Sequence, residues 1–211
     1  MTNIIRQPFK YRNDNIVFII IGLNILVYLA QTFLVQLNVT FYLALFPYAI
    51  MEGWLWQFVT YMFVHDPRSL SHIIFNMLAL FIFGAQVERY MGSREFLLFY
   101  LLTGVLAGIF SFLVYVITGT WMVFLMGASG AIFAVQLAYA VFFPRSIIYI
   151  WGILPLRAPV MVLGFTVLAL VSMVTGFGGN VAHLTHLAGF AFAWLYCQVR
   201  FNINPWRAMR R

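Results

Sequence analysis

The chain has 211 residues, of which 64% are hydrophobic and 8% charged, with a formal charge of +7 and a mean hydropathy of +0.95. A soluble domain carries about a quarter charged residues, and a chain this short keeps much of its surface exposed, so lipid must solvate most of this one. The twelve basic residues sit singly or in small groups at the ends of apolar runs and form no basic stripe, which excludes a nucleic-acid surface and leaves membrane topology as their explanation.

Residues 1–15 carry Arg6, Lys10 and Arg12 ahead of an apolar run that starts at Ile16. That run is as long as a full span and lacks a small-residue cleavage site, so it reads as a retained first helix rather than a signal peptide. A span needs about twenty apolar residues. Six segments meet or approach this: 16–37, 71–91, 94–118, 127–143, 158–176 and 181–200. Arg89 and Arg94 lie between the second and third, Arg145 and Arg157 between the fourth and fifth, and Arg200, Arg207, Arg210 and Arg211 at the end. Eleven of the twelve basic residues then share one side, with Arg68 alone on the other. By the positive-inside rule both termini are cytoplasmic, which requires an even number of spans. The predicted organisation is an all-α integral membrane protein: a cytoplasmic segment over 1–15, a six-span membrane domain over 16–200 and a basic cytoplasmic tail over 201–211.

The long connection 38–70 is itself apolar and aromatic, but Pro47, Glu52 and Gly53 make it a poor seventh span. Its Trp and Tyr content suits an element half-embedded at the membrane interface, and a loop packed on the protein itself is equally compatible. Gly104 with Gly108 in the third span, and Gly189 with Ala193 in the sixth, are small-xxx-small pairs that permit close helix contact. The single Cys197 excludes an intramolecular disulfide and a Cys-based metal site.

Polar side chains inside spans are costly and point to function by default. His72 and Asn76, four residues apart, share one face of the second span, and His183 and His186 share a face of the sixth. The fourth opens on Gly127-Ala128-Ser129-Gly130, after a stretch with Gly119 and Thr120 that is poor helix sequence. A helix from Ser129 to Pro144 has about fifteen residues and covers about 22 Å, short of a hydrocarbon core about 30 Å thick. Arg145 pins its cytoplasmic end, so Ser129 lies below the outer surface, at a helix N-terminus. Irregular backbone at that depth needs shelter from protein or a water-filled cavity. Free N–H groups and the positive dipole end at that terminus suit a developing oxyanion.

Each group also has a plainer reading. A serine between small residues is an ordinary packing residue, and His72 with Asn76 is equally a hydrogen-bond clasp between helices. His183 and His186 with His72 form a possible metal set, although only loop residues Glu52 and Asp66 supply carboxylates in that half of the bundle. The combination favours catalysis: a serine on a helix N-terminus, a histidine on another span and a His/Asn pair on a third assemble a nucleophile, a base and an oxyanion clamp.

From about Trp54 to Arg200 the chain resembles the rhomboid intramembrane serine proteases. The anchors occur in that family's order: His72-x-x-x-Asn76, then Glu88 and Gly92, then Gly127-x-Ser129-Gly130, then His183 and His186-x-x-Gly189. The resemblance implies a rhomboid-like bundle of six transmembrane helices with a membrane-embedded first loop. It implies Ser129 as nucleophile, His186 as general base, and His72, Asn76 and the Ser129 backbone N–H as oxyanion donors. Phe133 falls where the family often stacks an aromatic ring on the catalytic histidine. Gly130 and Gly189 would let the fourth and sixth helices approach, and the fifth helix would be the mobile side of a substrate gate. No metal or organic cofactor is implied, and the substrate is a transmembrane protein in the bilayer. The compact six-span plan suits a bacterial plasma (inner) membrane, with the active site opening to the extracytoplasmic side. Two departures touch the scaffold: Trp56-Gln57 stands where many members have Trp-Arg, and Tyr90 where some have arginine. A catalytically silent, derlin-like client-binding relative is the alternative, though such proteins typically lack the serine or the histidine. A small transporter would show midplane ionisable residues or repeated halves, and the sequence has neither.

Overall fold

The computed structural model describes residues 6–150, 152–175 and 180–210. Among the described residues six long helices form the bundle: Ile16–Phe33, Leu70–Met91, Ser93–Thr118, Ser129–Phe142, Ala158–Thr175 and Asn180–Phe201. The first three are each long and apolar enough to cross a membrane. The fourth has only 14 residues and sits at the centre, where it buries a run of small side chains including Ala131, Ala134, Ala138 and Ala140. It packs against the third, fifth and sixth helices. Protein therefore replaces lipid around the short helix. Within the second helix, Leu80–Gly84 forms a single π turn, where Gly84 lies against Val17 of the first helix.

The first connection folds into short helical turns, Val39–Leu43, Pro47–Met51, Gln57–Thr60 and Tyr61–Phe63. Tyr42, Trp54 and Trp56 stack in succession, with ring centroids 5.6 and 5.3 Å apart. Gln57 is fully buried inside the loop. Its Oε1 accepts from the Phe46 N–H at 2.9 Å, while its Nε2 donates to the carbonyls of Phe41 and Tyr42 at 3.2 and 3.3 Å.

The small residues of the third helix do not serve helix–helix contact alone. A Cβ at Gly104 would collide with the Met62 side chain, and one at Gly108 would stand 2.7 Å from the Tyr61 ring. The groove they open receives the loop turn Tyr61–Phe63, with Ala131 of the fourth helix also beside Gly104. Sequence spacing alone reads such a pair as a helix-packing face, because it records a flat surface without its occupant.

The connection between the fourth and fifth helices is a two-stranded antiparallel hairpin, β1 (Ile147–Ile150) and β2 (Leu154–Arg157). It is the one named sheet among the described residues of an otherwise all-α fold.

Two carboxylates gather the helix ends on the side that carries the chain termini. The Glu88 carboxylate accepts from the N–H groups of Ile16 and Val17, at 2.7 and 2.9 Å, and from the Ser93 hydroxyl. An acidic group thus satisfies free donors at the N-terminus of the first helix, where the dipole also favours it. Glu95 is buried and pairs with Arg200, whose Nε lies 2.7 Å from Oε1. It also accepts from the Tyr196 hydroxyl and from the Phe9 N–H at 3.1 Å. Replacing Glu88→Ala leaves three buried or half-buried donors unpaired, so thermal or denaturant unfolding in detergent should show a loss of about 3 kcal/mol or more. An unchanged unfolding midpoint would show that the clasp contributes nothing.

Candidate active site

Ser129 is the first residue of the fourth helix, and the turn before it is held from the first loop. Leu45 and Leu125 exchange two backbone hydrogen bonds of 2.9 Å each, and the Gly127 N–H donates to the Tyr61 carbonyl at 3.0 Å. Gly127 has φ +121°, and a Cβ there would stand 3.0 Å from His72 Nε2. Glycine is needed twice over at that position, for the positive φ and for the close imidazole.

His186 comes from the sixth helix, and its Nε2 lies 2.8 Å from Ser129 Oγ. One close crossing brings the two helices together. A Cβ at Gly189 would run into the Gly130 carbonyl oxygen, and one at Gly130 would meet Thr185 and Ala107 at 3.2 and 3.3 Å. The His186 ring is stacked on Phe133 at 4.2 Å and 10°. Phe133 in turn touches Phe190 and Phe165, with ring centroids 5.0 and 6.0 Å away. Next to His186, the Thr185 and Ser111 hydroxyls share a 2.6 Å hydrogen bond that ties the sixth helix to the third. His183 stands one turn earlier, its ring 6.0 Å from that of His186 and nearly perpendicular to it.

The second helix supplies the polar wall opposite. His72 and Asn76 line one cavity of about 570 Å³ together with Ser129 and His186. The Asn76 amide donates to the His72 carbonyl at 2.7 Å, which fixes its orientation and leaves a second N–H for the cavity. The Asp66 N–H points at His72 Nδ1 across a long 3.4 Å contact. That partner assigns the ring proton to Nε2, the nitrogen beside Gly127.

Sequence reasoning missed the support behind His72. His65 is fully buried with its ring 5.0 Å from that of His72, edge to face. Burial, and then repulsion from His72, push its imidazole down to about 4, so it stays neutral. Gln31 of the first helix holds this residue by both backbone groups, accepting from its N–H at 3.1 Å and donating to its carbonyl at 2.8 Å. The same Gln31 amide also donates to Thr40. A histidine just before a polar span start was the only signal available for this part of the site.

Chemically, the cavity places a hydroxyl within hydrogen-bond reach of an imidazole, at the start of a helix, opposite two side-chain donors. A rhomboid domain profile matches residues 52–203, which covers every residue of that arrangement. The chain is 28% identical over 198 residues to a protein named Rhomboid protease GlpG from Haemophilus influenzae, covering 93% of this chain and 98% of that protein. Rhomboid protease GlpG of Salmonella newport is 26% identical over 193 residues, covering 87% of this chain and 64% of that protein. Rhomboid-like protein 11, chloroplastic, of Arabidopsis thaliana is 36% identical over 128 residues, 61% of this chain and 41% of the plant protein. With the profile spanning well over half of its length, the chain is a membrane protein of the rhomboid family.

Proposed function

We propose that this rhomboid is an intramembrane serine endopeptidase, hydrolysing peptide bonds in or near transmembrane segments of membrane-protein substrates through a Ser129–His186 dyad. The observation that carries the reading is the 2.8 Å approach of His186 Nε2 to Ser129 Oγ inside a cavity shared with His72 and Asn76. The names of the GlpG relatives point the same way. Both reactive groups are present and in register, which counts against a silent client-binding role.

In the proposed reaction Ser129 Oγ attacks the scissile carbonyl carbon while His186 Nε2 takes its proton. The carbonyl oxygen becomes an oxyanion against His72 Nε2–H, the free Asn76 amide hydrogen and the Ser129 backbone N–H, which as a first-turn donor has no partner within the helix. Collapse expels the new amine, which takes the proton from His186, and leaves an acyl ester on Ser129. Water then attacks that ester with His186 again as base, releasing the acid and restoring the hydroxyl. Phe133 keeps the imidazole in plane through both steps, and His183 supports the same helix face. The reaction needs no metal or organic cofactor.

The proposed topology has 1–15 and 201–211 in the cytoplasm and 16–200 as a six-span domain of a plasma (inner) membrane. The cavity then opens on the extracytoplasmic side. Arginine distribution supports this orientation, with Arg68 alone on the outer side.

With a reporter transmembrane substrate, purified wild type should cut, while Ser129→Ala and His186→Ala should not. Equal cutting by Ser129→Ala would sink the proposal. His72→Ala and Asn76→Ala should each lower kcat about a hundredfold with little change in KM, as expected for donors engaged mainly in the transition state. Gly189→Ala should destabilise the fold by about 1–3 kcal/mol and reduce fluorophosphonate labelling of Ser129, because a methyl group has no space at the crossing. For topology, a periplasm-sensitive reporter fused after Arg211 should stay silent, and a signal from it would reverse the orientation.

A further inference from the structure

The fifth helix turns Met161 and Phe165 toward the cavity of Ser129, and Val162, Leu163 and Thr166 toward a second cavity that shares no lining residue with the first. The second has a volume of about 280 Å³ and lies between the fourth, fifth and sixth helices and the short helix Pro205–Met209. We propose that it is a lipid site, seating one acyl chain of an anionic phospholipid with the phosphate held at Arg207 and Arg210. Such a site is independent of the protease reading above.

The shape of this groove suits an acyl chain. Its floor is buried, at Leu137, Val162 and Phe190, while Leu163 and Ala191 stand exposed at its rim. Along the sixth helix it runs from Leu187 to Trp194, seven positions and about 10 Å. A helix is about 10–12 Å across with its side chains, so a partner helix would rest on the rim and leave the floor empty. The Thr166 hydroxyl does not interrupt the apolar wall, because it donates to the Val162 carbonyl at 2.9 Å. Phe190 also packs on Phe133, at 5.0 Å, so a chain on the groove floor backs the ring that is stacked on His186.

Charge selects the headgroup. Trp206 and Met209 of the short helix complete the groove wall on the side of the chain termini, and the Arg210 guanidinium carbon lies 4.2 Å over the Trp206 ring. The Asn204 side chain accepts from the Arg207 N–H at 3.1 Å and so caps the helix that carries both arginines. The acidic residues on this side are already engaged. Asp14 pairs with Arg12, Glu95 with Arg200, and Glu88 accepts from Ile16, Val17 and Ser93. Among the described residues neither Arg207 nor Arg210 makes an ion pair. Their counter-anion must come from outside the chain, and at the end of a span the lipid phosphates supply it. A fixed cation at the mouth of an apolar groove matches the two halves of one anionic phospholipid.

Native mass spectrometry of the full chain tests the site, with phosphatidylglycerol and phosphatidylcholine supplied in equal amounts. Wild type should retain one phosphatidylglycerol with about tenfold preference, since each basic residue at an anionic lipid surface is worth about fivefold in binding. The preference should vanish in an Arg207→Gln, Arg210→Gln double variant. It should persist in an Arg6→Gln, Lys10→Gln control, which removes the same charge from exposed residues on the same side. Ala191→Phe fills the groove from its exposed rim and should lower lipid retention about tenfold. Equal retention of the two lipids, an equal loss in the control, or unchanged retention by Ala191→Phe would overturn the site. So would a protein dimer that Ala191→Phe disperses, because a second copy would then be the occupant. Photolabelling reads the unmutated chain. A phosphatidylglycerol with a diazirine on its acyl chain should label residues 187–194 and Met209 well above the lipid-facing first helix, and uniform labelling of all helices would overturn the inference.

Discussion

The site depends on a single close approach, the contact of the fourth and sixth helices at Gly130 and Gly189, where no Cβ fits between the two backbones. Packed helices ordinarily keep their axes 8–10 Å apart, roughly, and only small residues let them come closer. That approach sets the Ser129–His186 distance without recourse to a loop. It also requires that the sixth helix neither slide nor rotate, and two further ties prevent this. The Thr185–Ser111 hydroxyl pair fixes it to the third helix beside the reactive residues. At the far end Arg200 and Tyr196 are held by the buried Glu95. Small residues bring the backbones together, and polar side chains on either side of the crossing then hold the register.

A helix that begins inside the bundle creates a second problem, because the chain leading to Ser129 must satisfy its own polar backbone away from bulk water. The first loop solves it. Its Leu45 pairs in both directions with Leu125, its Tyr61 carbonyl takes the Gly127 N–H, and the Tyr61 hydroxyl donates to the Gly104 carbonyl at 2.7 Å. The loop can do this only if it is rigid, and two buried glutamines make it so. Gln31 clasps the backbone of His65, and Gln57 clasps Phe46, Phe41 and Tyr42. Glutamine suits the Gln57 site because the side chain there must both accept and donate. The Phe46 N–H there needs an acceptor, which an amide supplies and a guanidinium does not.

These two constraints also mark what could be read in the sequence. The start of the fourth helix was legible because Gly119, Gly127 and Pro144 leave room for only one short helix between them. The gathering of Ser129, His186, His72 and Asn76 was legible because polar groups are conspicuous in apolar spans. His65 and Gln31 were not, since a loop histidine and a glutamine near a span end have no periodicity to betray them. Gly104 and Gly108 were read as a helix-packing face, although the surface they clear also receives a loop. The hairpin was hidden for a different reason. From Ile147 to Leu156 the residues are almost uniformly apolar, so the period-2 alternation that marks a half-buried strand is missing.

The fourth and fifth helices differ sharply in their surroundings. The fourth helix is enclosed by protein on all sides, whereas the fifth packs on the fourth and sixth and presents Leu163, Val167 and Leu170 outward. Its other side borders the groove shared with the second helix. Its contacts run to the fourth and sixth helices and to the second strand of the hairpin. Its ring contact next to the reactive pair is Phe165 against Phe133, at 6.0 Å. Phe133 also packs on Phe190, at 5.0 Å, and Phe190 belongs to the same helix as His186. The ring stacked on His186 is thus backed from two sides, by Phe165 on the fifth helix and by Phe190 on the helix that carries His186 itself.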